Sequence, residues 1–193
     1  NALAFRGPGL AYRQLVTAPS SHARVCFQGE EEACMRALGL SEGGVAEWYE
    51  PGELAALMHT MFPETWRGVP EADQRACLDD NDAMACARLA DARDPIAFIP
   101  VGPAARSALV VEALRTGGSG AYLRLARAGD VPTGEALALA AGRPVSTFLP
   151  AWRARLLEDR PERRTGAGRA PLAAVAWLAV FSAVAIRRRS WRA

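Results

Sequence analysis

The sequence predicts a mostly α-helical domain, stapled by disulfides and followed by a single C-terminal transmembrane helix. Three observations predict it: apolar residues recur at helical spacing along most of the chain, four cysteines fall into two local pairs, and an uncharged apolar stretch of 17 residues lies near the end. At 193 residues, half of them apolar, the chain has material for one globular core plus an appendage. Its 23 basic residues nearly balance its 21 acidic ones, which argues against a nucleic-acid partner. All the basic residues are Arg, a usage that fits a GC-rich bacterial coding bias.

The opening run NALAFRGPGL begins at Asn1 rather than Met and is broken by Gly7, Pro8 and Gly9. It is too short and interrupted for the apolar region of a signal peptide, so the chain reads as processed or as a fragment.

Next come RVCFQGEEEACMRAL and RACLDDNDAMACARL, two segments alike enough to suggest a duplicated unit. Each reads as a helical turn ending near the first cysteine, a polar acidic loop, and a second helix starting around the second cysteine. An even, locally paired set favours two disulfides, Cys26 with Cys34 and Cys77 with Cys86, across the loops of antiparallel helices in an oxidising compartment. Reduced structural thiols and a metal site are the other readings. Seven or eight intervening residues with no nearby His fit zinc spacing poorly.

Between the pairs, EPGELAALMHTMF carries Leu54, Leu57, Met58, Met61 and Phe62 at helical spacing behind a Pro51–Gly52 break, an amphipathic helix. Trp48, Tyr49, Phe62 and Trp66 flank it as aromatic core or as a docking surface. The proline-bounded IAFIPVG is expected to be extended or turn-like. A helix over 104–115 then stops at Gly117 and Gly118. A second helix is expected over 121–128, and a third from Thr133, read as its N-cap, to Ala141. A fourth begins near Ser146 and turns Phe148, Leu149, Trp152, Leu156 and Leu157 to one side, with Arg153, Arg155 and Glu158 on the polar side. This divides the chain into a helical domain (1–157), a charged Gly/Pro-rich linker (158–169), the span (170–186) and a basic tail (187–193).

The span, APLAAVAWLAVFSAVAI, has the length needed to cross a bilayer and is followed at once by Arg187, Arg188, Arg189 and Trp191, a stop-transfer end with an interfacial aromatic. Arginines also precede it, so sidedness rests on the density of the following ones and on the cysteine pairs. Together they place the domain in the periplasm, the tail in the cytoplasm and the span in a bacterial inner membrane. Ala170, Ala174, Ala179 and Ala183 repeat small residues at a spacing of four, and with Trp177 and Phe181 they form the expected helix-packing surface in the bilayer.

The cysteine segments resemble the helix hairpins of Sel1-like repeat proteins, in which a C-x7-C pair bridges the helices of one repeat. The resemblance covers 15 residues each time, and it implies the local staple; the stretch 39–71 carries no repeat of that length. GSGAYLRLARAGDVPTGEALALAAGRPVSTFLPAWRARLLEDRP resembles the C-terminal helical end of bacterial peptidase-MA-like, gluzincin-type proteins. Those proteins hold zinc in an upstream HExxH helix. This sequence has none, its histidines being His22 in SSHAR and His59 in LMHTM, so no catalytic residue carries over.

Nothing else in the sequence supplies catalytic chemistry. GGSGA around Ser119 does not register with a nucleophile elbow, no phosphate-binding loop is present, DDND lacks the later Glu of a calcium loop, and no CxxCH exists for covalent haem. No cofactor is expected. Two functions remain: an accessory subunit whose domain packs on other subunits of a membrane assembly, such as a respiratory or photosynthetic complex, or a non-catalytic piece of a membrane-tethered peptidase-MA-like enzyme.

Overall fold

Ten α-helices and no strand make up the residues described by the computed structural model, 9–60 and 68–161. The first, α1 (Leu10–Val16), was not anticipated, because the Gly-Pro-Gly run masks its start. Gly9, left-handed at φ 77°, serves as its N-cap. The paired cysteines lie in two helical hairpins, α2 (Ser21–Gln28) with α3 (Glu31–Ala37), and α5 (Glu71–Leu78) with α6 (Ala83–Asp91). Between the hairpins runs α4 (Glu53–His59), which starts behind Gly52 and buries Leu54, Ala55 and Met58. Met61, Phe62 and Trp66 lie outside the described residues.

The second half is helix after helix, as expected: α7 (Pro103–Gly117), α8 (Ala121–Arg127), α9 (Thr133–Ala141) and α10 (Leu149–Glu158). IAFIPVG is turn-like, one of the two forms expected: Pro95–Phe98 forms a 3-10 turn, because the Asp94 carboxylate accepts from the Ile96 amide while Pro95 sits in the first turn. Two local expectations are corrected. Thr133 is the first helical residue of α9 rather than its cap, a position taken by Pro132. The last helix starts at Leu149, not Ser146. Pro150 has no N–H to return to the Ser146 carbonyl, so Val145–Thr147 forms a separate 3-10 turn and α10 begins with its proline in the first turn.

Two apolar clusters organise these helices within one compact unit ending at Arg160. The larger gathers α1, α2, α3, α7, α9 and α10 around Leu109, Phe148 and Trp152; the Trp152 indole donates to the Ala105 carbonyl at 3.0 Å, so its polar atom is satisfied inside the core. Phe27 meets Tyr12 edge to face, with centroids 6.1 Å apart. The smaller cluster packs α4, α5 and α6 against Val45, Trp48, Tyr49 and Phe98. The Tyr49 hydroxyl donates to the Phe98 carbonyl at 2.6 Å, and burial, reinforced by nearby Glu53, raises its pKa well above the usual tyrosine value.

Among the described residues no helix is long and apolar enough to cross a membrane. The expected span with Ala170, Ala174, Trp177, Ala179, Phe181 and Ala183, the interfacial Arg187, Arg188, Arg189 and Trp191, and most of the expected linker lie outside the described residues.

Candidate functional site: an apolar cleft with an unpaired guanidinium

All four cysteines are buried and oxidised. Cys26 bonds Cys34 (S–S 2.01 Å) and joins α2 to α3, while Cys77 bonds Cys86 (2.10 Å) and joins α5 to α6. That settles the thiol and metal alternatives for these residues in favour of disulfides. Among the described residues no group of three or more His, Cys, Asp or Glu could hold a metal ion. Both hairpins use the acidic loop in the same way. The carboxylate of Glu30 accepts from the amides of Glu32 and Ala33, and that of Asp82 from Met84 and Ala85, each capping the second helix of its hairpin.

The two histidines stand apart. His59 is exposed at the end of α4, whereas His22 is buried on α2 with Nε2 3.5 Å from the Glu50 carboxylate. His22 and Glu50 line an open basin of about 410 Å³ with Glu30, Glu32 and Arg36. Its charges already have partners: Arg36 pairs with Glu32, and Glu30 caps α3.

A different situation holds in a cleft of about 280 Å³ built from four stretches of chain: Leu38–Leu40 beyond α3, Ile96 and Ile99 around the 3-10 turn, the flank of α7 carrying Arg106 and Val110, and the start of α9 with Thr133 and Leu137. Two backbone features hold its walls. Gly39, left-handed at φ 68°, ends α3 so that Leu40 turns back to donate to the Met35 carbonyl. Val101 then donates to the Ala37 carbonyl at 3.1 Å, tying the 99–101 segment to the end of α3. The α7 wall is fixed from the other side. The Gln14 side chain of α1 accepts from the Ala104 and Ala105 amides at 2.7 and 3.3 Å, and a Cβ at Gly102 would collide with it.

Arg106 is the anomaly in this lining. Its Nε is buried with no acceptor among the described residues, and burial lowers the pKa of the guanidinium from its usual value. Arginine nevertheless keeps its charge, so the cleft holds a positive group without a counter-ion among the described residues. The other buried charges are matched. Glu112, 4% exposed on α7, lies 2.7 Å from Arg155 Nε and 3.5 Å from Arg115, and Arg153 donates to the Phe27 and Gln28 carbonyls at the end of α2. Arg155 stays exposed on the polar side that the sequence assigns it, reaching Glu112 from the surface, whereas Arg153 is half-buried against the end of α2.

A second surface lies on α8 and α9, which pack against one another. Tyr122 and Leu123 of α8 are 70% and 54% exposed, and Leu139 of α9 is 46% exposed. Arg124, between them in sequence, donates to the Gly117, Leu139 and Ala140 carbonyls at 2.7–3.0 Å and closes the C-terminal ends of α7 and α9.

No family model, no curated protein and no solved structure matches this chain.

Proposed function

We propose that the chain is a non-catalytic, single-pass protein of a bacterial inner membrane, and that its periplasmic helical domain docks on other subunits of a larger membrane complex. The observation that carries the docking role is the α8–α9 surface. Three large apolar side chains stand exposed there on helices that Arg124 holds in register, a preorganised face of the kind whose burial drives association. Tyrosine and arginine are the residues most enriched where binding energy concentrates. The two cystines support an oxidising compartment, and the apolar stretch 170–186 supplies the tether.

The test is native electrophoresis after mild-detergent extraction of the source membranes, comparing the wild-type chain with Tyr122→Glu/Leu123→Glu. The wild-type protein is expected in a species well above its own 20.6 kDa, and the variant is expected to leave it with an unchanged melting temperature. A wild-type protein migrating alone, or a variant that stays in the assembly, overturns the docking role. Proteolysis of sealed right-side-out vesicles checks sidedness, and domain residues protected from external protease would place it on the wrong face.

A further inference from the structure

The cleft beneath α7 and α9 shares no lining residue with the exposed α8–α9 side chains Tyr122, Leu123 and Leu139. Its walls are largely aliphatic: Leu38, Leu40, Ile99, Val110 and Leu137 line about 280 Å³, a volume just under that of common small-ligand pockets. An apolar cavity of this size would favour hydrocarbon. The one charged residue in its lining is Arg106, half-exposed, whose Nε is buried without an acceptor, whereas the buried Glu112 carboxylate lies 2.7 Å from Arg155. Leaving a buried donor unmet costs on the order of 1–3 kcal/mol, more for a charged group, so a ligand that supplies the acceptor gains what the apo fold forgoes. A second feature has the same sign. Thr133, the first residue of α9, lines the cleft, and this nine-residue helix starts at Pro132 with no side-chain cap on its first amides, its first turn carrying one carboxylate, Glu135.

We infer that this cleft binds a small aliphatic carboxylate, a medium-chain fatty acid or an acid of similar shape. Its carboxylate pairs with Arg106 at the N-terminal end of α9, and its alkyl chain lies between α7, α9 and the Leu38–Leu40 turn. Arginine suits this task because its planar fork meets both carboxylate oxygens at once. The hydroxyls of Ser107 and Thr133, also in the lining, offer further donors to the same head group.

Calorimetric titration of the full chain in lipid nanodiscs with octanoate, and with the neutral isostere octanamide, tests this directly. Arg106→Gln in identical discs corrects for partition into lipid. Octanoate should bind saturably and at least ten-fold more tightly than octanamide. Arg106→Gln should erase that preference without lowering the melting temperature, since the guanidinium has no described partner to lose. Val110→Trp, which fills the cleft and leaves the charge, should weaken octanoate by a similar factor. Absence of saturable octanoate binding, equal affinity for the amide, or an Arg106→Gln variant that still prefers the acid overturns the proposal. So does a marked fall in the melting temperature of Arg106→Gln, which would assign the guanidinium to a carboxylate of the protein itself.

Discussion

The two cystine hairpins share a covalent plan and differ in what surrounds it. Each closes a short loop between antiparallel helices, with a carboxylate of that loop capping the second helix. The α2–α3 hairpin sits in the larger cluster, where Arg153 reaches from α10 to its Phe27 and Gln28 carbonyls and Glu53 of α4 accepts from the Ser21 amide at 2.8 Å. The α5–α6 hairpin packs on α4 and on the 3-10 turns at Gly44–Glu47 and Pro95–Phe98, and its own best cross-link, Arg88 to Asp73 at 2.7 Å, stays within the hairpin. The same staple thus serves as one bond among many in one place and as a main organiser in the other.

Replacing each cystine by an alanine pair is the strongest way to break that contrast. Loops of eight and nine residues carry nearly equal chain-entropy terms, about 2.5 kcal/mol each. Urea melts should therefore show similar losses, while hydrogen exchange should separate the pair. Cys77→Ala/Cys86→Ala should open α5–α6 locally, whereas Cys26→Ala/Cys34→Ala should speed exchange across the larger cluster only through global unfolding. Identical exchange patterns would erase the distinction.

Arg153→Ala isolates the clamp that the second hairpin lacks. Losing charge-assisted donors to two carbonyls should cost about 1–2 kcal/mol in denaturant melts, with faster exchange at the end of α2 and none in α5. The smallest effect concerns acid. The amide of Ala85, then that of Met84 and the charge of Arg88, hold the Asp82 carboxyl below its usual range. A depressed carboxylate stabilises the fold above its unfolded pKa of about 3.9, and that contribution is lost as pH falls through the folded value. Thermal melts from pH 5 downward should therefore show α6 loosening in the wild-type chain. Asp82→Asn keeps a capping oxygen but carries no titrating proton, so it should flatten that part of the profile.

What was legible in the sequence was whatever depends on neighbours along the chain. The C-x7-C and C-x8-C spacings disclosed both cystines, and Gly117 and Gly118 marked the end of α7, because these are local constraints on backbone and loop. Helix α1 was missed because its periodic part spans only seven residues behind a Gly-Pro-Gly run, and what fixes it is Gln14 meeting amides of α7 about ninety positions away. Arg106 was not singled out for the same reason. On its own helix it reads as an ordinary surface arginine, and only the fold sets it beside Leu40, Ile99 and Leu137 with its Nε covered. Periodicity put Arg153 and Arg155 on the polar side of α10, where Arg155 is indeed exposed, but it could not show the α2 carbonyls that Arg153 meets or the Glu112 carboxylate that Arg155 reaches.

Both sulfur bridges join nearest neighbours along the chain, eight and nine positions apart. Four thiols can pair in three ways, and in this one each bridge closes within its own hairpin, so each can form as soon as that hairpin folds and without waiting for the other. The correct connectivity then follows from short loop closure, and the fold places little demand on disulfide reshuffling.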